Sequence, residues 1–110
     1  SIVWLERAAK NAKDGKIFLR LASTYLDLER FDDAVRAAKK SLKLGELRKE
    51  ETAHIILGSA YFYKKQYEDA LGAFANVIKL DEENKFAKTW IKYVTTEKKK
   101  QEAFIAFINN

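Results

Sequence analysis

Apolar positions recur along this chain at steps of three or four residues almost from end to end. Between Lys16 and Glu29, the residues Phe18, Leu21, Ala22, Tyr25 and Leu28 make one apolar stripe. After a break at Leu28–Glu29–Arg30, a second stripe follows through Phe31, Ala34, Val35, Ala38 and Leu42. Such spacing predicts amphipathic helices. Asp32 and Asp33 fall in the first turn of the second helix, where carboxylates suit the positive end of the helix dipole, and Gly45 reads as its stop. The plan then recurs. Glu50–Lys64 predicts one helix and Tyr67–Leu80 its partner, with Glu68 and Asp69 in the matching first turn. Connections this short force antiparallel hairpins. Ahead of both copies, Ile2–Lys13 predicts a single helix.

The two hairpins are copies of each other, offset by 36 residues. Phe18–Leu44 lies over His54–Leu80 without a gap, matching Leu21 with Leu57, Ser23 with Ser59, Tyr25 with Tyr61, Asp33 with Asp69, Ala34 with Ala70 and Ala37 with Ala73. A fixed period of this size points to a stacked array whose units bury their apolar faces only against neighbours. A further step of 36 carries His54 onto Trp90, Leu57 onto Tyr93, Gly58 onto Val94 and Ala70 onto Ala106. The expected organisation is a leading helix over 1–14 left from a preceding unit, repeats over 15–48 and 49–81, and a partial third repeat or capping helix over 82–110. Its second helix is expected to be incomplete, so both ends read as interruptions of an array.

Composition narrows the class further. Hydrophobic residues make up 47% and charged residues 34%, a balance that suits a folded domain. There is no proline and only four glycines, too few turn residues for a β-rich fold. The absence of cysteine excludes disulfides and thiolate metal sites. The absence of methionine implies that the natural start lies upstream of Ser1. No apolar run approaches the length of a membrane span, so membrane insertion is not expected.

The second copy reads His54-x2-Leu57-Gly58-x2-Tyr61 and Ala70-x3-Phe74; the first reads Phe18-x2-Leu21-Ala22-x2-Tyr25 and Ala34-x3-Ala38. This pattern resembles the tetratricopeptide repeat family, whose signature is W-x2-L-G-x2-Y, then A-x3-F, then P, with a period of about 34 residues. Glu46 and Glu82 stand where the family has proline, and the period is longer. The resemblance implies an all-α fold of antiparallel helix-turn-helix repeats stacked as a short right-handed solenoid. In such packing Ala22, Gly58, Ala34 and Ala70 let helices approach, while Tyr25, Phe31, Tyr61, Tyr67 and Phe74 fill the core.

Catalytic chemistry finds little support. His54, the one histidine, occupies the large-residue slot shared with Phe18 and Trp90 and reads as packing. No residue pattern suggests a metal site, a cofactor or a phosphate loop. Asp81–Glu82–Glu83 reads as helix-terminal chemistry. Net charge is +5, with basic clusters at Lys39–Lys40, Lys64–Lys65 and Lys98–Lys99–Lys100, and Tyr63, Trp90 and Tyr93 nearby in sequence as stacking candidates. The five arginines do not cluster, so nucleic acid is not the expected partner.

In the family the first helix of each hairpin lines a concave groove. The resemblance carries that face onto Leu19, Ser23, Leu26 and Asp27, onto Ile55, Ser59, Phe62 and Tyr63, and onto Ile91, Thr95, Lys98 and Lys99. Phe62 and Tyr63 have no core duty in this register and read as a contact surface, the alternative being that they cover a neighbouring helix. The family's carboxylate clamp would need lysine, asparagine and arginine where Leu19, Ser23, Ile55 and Ser59 stand, so a chaperone-tail role is not expected. The expected function is non-enzymatic: binding a peptide or helix of another protein through Leu19, Ser23, Ile55, Ser59, Phe62, Tyr63, Ile91 and Lys98, with acidic partner residues meeting Lys98 and Lys99. A nucleic-acid surface and a purely structural spacer are the alternatives.

Two features of the tail add to this. Ala87-x2-Trp90-Ile91-x-Tyr93-Val94-x2-Glu97-Lys98-Lys99 resembles the closing helix of bacterial repeat proteins that accompany the TonB–ExbB–ExbD system, which implies a periplasmic envelope-transport accessory. Phe104, Ile105, Phe107 and Ile108 are too apolar for a solvated tail, and are expected to cap the last hairpin or to pair with a second copy as a homodimer.

Overall fold

The computed structural model describes residues 2–110, and every regular element among them is an α-helix. In chain order the elements are α1 (Ile2–Ala9), α2 (Lys16–Asp27), α3 (Phe31–Leu44), α4 (Glu50–Tyr63), α5 (Tyr67–Leu80) and α6 (Lys85–Ile108). Each helix packs on the next, and α2 also touches α4. The result is an elongated stack of 53 × 30 × 19 Å, a helical-repeat solenoid with no central core.

Both hairpin turns are built alike. The amide of Arg30 donates to the Tyr25 carbonyl at 2.8 Å and that of Glu29 to Leu26 at 3.0 Å; Gln66 donates to Tyr61 and Lys65 to Phe62, each at 2.9 Å. These are the paired bonds of a Schellman stop, with Glu29 (φ 59°) and Lys65 (φ 62°) in the left-handed position. In the first turn the Arg30 guanidinium lies 4.6 Å above the Tyr25 ring and also bonds Asp33, tying the two helices of the hairpin.

The interior divides along the stack. One cluster holds Leu5, Leu21, Tyr25, Val35, Ile56 and Leu57 with intervening alanines, and the other holds Ala70, Phe74, Val77, Ala87 and Val94. Ala22, Ala34, Ala38 and Ala70 have no exposed surface, so the helices approach as closely as methyl groups allow. At Gly58 even a methyl group is too large. A Cβ there would stand 2.6 Å from the fully buried Phe74 ring. Tyr25 is buried and donates its hydroxyl to Glu6 of α1. Burial, followed by that carboxylate, pushes its pKa up to about 12.

Three details depart from the sequence expectation. Helix α1 ends at Ala9 rather than Lys13, because the chain is drawn away: the Gly15 amide donates to the Gly45 carbonyl at 2.8 Å. Helix α6 starts on the Asn84 side chain, which caps the Ala87 amide at 2.9 Å; the acidic group ahead of it supplies Asp81, which accepts from Asn84. The incomplete second helix of a third repeat does not form. Helix α6 runs unbroken through Lys100–Gln101–Glu102, where the turn would fall. Glu97 replaces the tyrosine of the earlier stops, Ala103 replaces Phe31 and Tyr67, and Ile105 replaces Asp33 and Asp69. Nothing rewards a break, so the good helix formers continue. The far end of α6 therefore caps no hairpin: Phe104, Ile105, Phe107 and Ile108 are all exposed.

Candidate functional site

Helices α2, α4 and α6 open the two repeats and the third unit, and the expected contact residues all lie on them. The structure separates those residues into two groups. Leu19 and Ser23 sit on α2, Leu19 half-buried against the first cluster and Ser23 exposed. Ile55, Phe62 and Ile91 pack together against the second cluster, with Tyr63 half-exposed beside them.

Phe62 takes the alternative the sequence left open and covers the neighbouring helix α6. Its ring lies 5.1 Å from Trp90, 5.3 Å from Tyr93, 5.5 Å from Tyr63 and 5.8 Å from Tyr67. It joins α4 to α6 because α6 takes the place of a third repeat's first helix. Trp90 in turn stacks on Phe74 at 5.7 Å, and Tyr63 stacks on Phe31 at 5.1 Å. The outcome is an aromatic seam running from α3 to α6. Its rim is open: Tyr63 is 54% and Tyr93 50% exposed.

Ser59 is buried, unlike its register mate Ser23. Helix α4 has the full-length α2 and α3 packed ahead of it, whereas α2 has only the short α1 before it. Lys98 pairs with Glu68 of α5 at 3.4 Å, in a cleft shared with Asp69 and Glu102. Carboxylates of this chain surround it already, so it is poorly placed to attract a partner's.

Two sets of residues gain their place only in the structure. Tyr93, a stacking candidate in the sequence, occupies the slot of Leu21 and Leu57, which are 4% and 6% exposed, yet is itself half-exposed. It is open because no helix follows α6 in the way α3 follows α2. The other set lines a cleft of about 590 Å³ where Lys16, Leu19 and Arg20 of α2 face Leu47, Arg48, Lys49 and Thr52. Gly45 (φ 76°) and Glu46 (φ 58°) turn the chain out of α3 so that these residues return beside α2. Gly15 closes the joint, since a Cβ there would meet the Ser41 carbonyl oxygen at 2.1 Å. Arg48 and Lys49 lie in a connection, outside any helical register, which hid them.

His54 is half-buried, and among the described residues its Nδ1 has no hydrogen-bond partner. Burial lowers its pKa, with Glu50 opposing. Among the described residues no donor or acceptor orients the ring, as general acid–base work would require. Among the described residues no group of three His, Cys, Asp or Glu side chains is placed to hold a metal ion, and no helix is long and apolar enough to cross a membrane.

Comparison with known families agrees with this architecture. One model of the tetratricopeptide repeat matches residues 51–84, and a second model of the same repeat matches residues 15–44. No curated protein matches the chain. Repeats of this kind generally mediate protein–protein interaction on a scaffold that is typically non-enzymatic. With its two hairpins in one register and both matched as repeats, the chain belongs to the tetratricopeptide repeat family.

Proposed function

We propose that this chain is a non-enzymatic interaction module that takes a peptide or helix of another protein across the face formed by α2, α4 and α6. The observation that carries this reading is the open aromatic rim, where Tyr63 and Tyr93 flank the partly covered Phe62. Aromatic side chains held rigid by packing yet half-exposed lose little entropy on binding and bury a large area. Leu19, Ser23, Ile55 and Ile91 extend the face to either side, while Ser59 and Lys98 contribute through packing and through the Glu68 pair.

The test is capture of partners by the parent chain and by a Tyr63→Ser, Tyr93→Ser variant of matched helicity, at low and high salt. A protein held by the parent at both salts and lost by the variant supports the reading. Equal capture by both, or binding that vanishes with salt and follows nucleic acid, refutes it. The narrower role in envelope transport rests on the likeness of Ala87–Lys99 to closing helices of TonB-accompanying proteins. Envelope components among the captured proteins support it, and their absence removes it.

We also propose that the chain pairs with itself through the far end of α6. Phe104 and Phe107 are 61% and 77% exposed there, with Ile105 and Ile108 beside them, an apolar patch that water does not favour.

A further inference from the structure

The cleft at the start of α2 bears on the chemistry of the partner. Its volume of about 590 Å³ suits a few side chains. Leu19 and Leu47 are its half-buried aliphatic residues, and Lys16, Arg20, Arg48 and Lys49 stand exposed around them. No carboxylate lines it, whereas two other clefts, at Gln66–Glu102 and at Glu29–Lys64, each mix both signs. Among the described residues none of its four cations has an ion-pair partner, while Arg30, Arg36, Lys64, Lys88, Lys98 and Lys100 each do. Four like charges gathered on low-dielectric walls focus a positive potential into the cleft.

We propose that this cleft is a docking subsite for an acidic, aliphatic segment of a protein partner, one that carries Asp or Glu beside Leu, Ile or Val. This rests on the interaction-module reading above and names the charge of the segment. Leu19 and Leu47 receive the aliphatic side chains. Arg20 and Arg48 can each grip a carboxylate with two parallel N–H bonds, and Lys16 and Lys49 add charge at the margins. The recognition differs from a groove clamp, because Arg20 is one position off the groove register and Arg48 and Lys49 come from the α3–α4 connection. Single-stranded nucleic acid fits less well, since its bases need aromatic platforms and none lines this cleft.

The test starts from random peptides displayed on phage and selected on the parent chain. The strongest binder is then measured by fluorescence anisotropy, beside its form with every Asp and Glu changed to the amide. Acidic residues next to aliphatic ones are expected among the binders. The amide form is expected to bind about tenfold more weakly, and an Arg20→Glu, Arg48→Glu variant to show a similar loss. Both arginines are exposed, so circular dichroism should be unchanged. A Lys85→Glu, Lys92→Glu variant with the same net charge, altered on α6, should bind like the parent. Equal weakening by the α6 variant, indifference to the amide change, or tighter Arg20- and Arg48-dependent binding of an oligouridine overturns the proposal. Binders that ignore Arg20 and Arg48 but are lost with Tyr63→Ser, Tyr93→Ser overturn it while sparing the wider reading. A selection that yields no binder overturns both.

Discussion

At the scale of single residues, two mid-helix glycines in opposite surroundings should respond in opposite ways to alanine. At Gly58 a methyl group would press on the Phe74 ring, which has no free space, and overpacking of this kind costs about 1–3 kcal/mol. At Gly72, in the middle of α5, nothing lies within 4 Å of the added Cβ. Gly72→Ala should therefore stabilise by about 0.5–1 kcal/mol, through the entropy of the unfolded chain. Urea titration of the two variants checks both signs. His54 offers a pH test. Its pKa is lowered by folding from the ordinary value of 6.5, so the unfolded chain binds the proton more readily. The stability tied to neutral His54 is thus complete above that value and is lost as pH falls below it. Thermal melts across roughly pH 7 to 5 should show the decline. His54→Phe, which restores the residue found at the equivalent Phe18, should flatten it.

At the scale of elements, helix ends followed local chemistry closely. The periodicity and the acidic first turns predicted α3 and α5 to start at Phe31 and Tyr67, where they do. The same local chemistry explains the missing third turn, but only in retrospect. Glu97 and Ala103 were visible in the sequence, yet their weight depends on what a tyrosine and an aromatic contribute to the stop, and that is seen in the folded turns. Helix α6 consequently has two halves of different worth. Its first half packs through Ala87, Trp90 and Val94, while its end packs on nothing. Phe74→Ala, which empties the site beneath Trp90, should cost about 3–5 kcal/mol. Phe104→Ser with Phe107→Ser should change the denaturation midpoint little, within about 0.5 kcal/mol, although it removes two large apolar side chains. Chemical denaturation of dilute protein separates the two cases.

At the scale of the whole molecule, the repeat register extends into α1. Leu5, Ser41 and Val77 are 36 residues apart in succession and all buried, so α1 stands to α2 as α3 stands to α4. Both ends of the stack then carry faces that interior repeats would have covered: Val3 and Trp4 at one end, Tyr93 and the tail of α6 at the other. Sedimentation should reveal association that grows with concentration, and Phe104→Ser with Phe107→Ser should abolish it if the tail is the contact. A species that stays monomeric at high concentration removes the homodimer reading.

The sequence by itself determined the helices, the hairpin turns and the repeat, because each follows from interactions within a few residues. Apolar spacing, a left-handed stop and an acidic first turn act locally, and the 36-residue copy shows that they act twice. Only the tertiary structure decided which side chains remain open to a partner. Ser23 and Ser59 share a register slot, as do Leu57 and Tyr93, yet one of each pair is covered and the other is not. Exposure depends on whether another helix stands alongside. In the same way Lys16, Arg20, Arg48 and Lys49 share one cleft only because Gly15 and Gly45 bring the start of α2 against the end of α3. Spacing along the chain carries no trace of that approach.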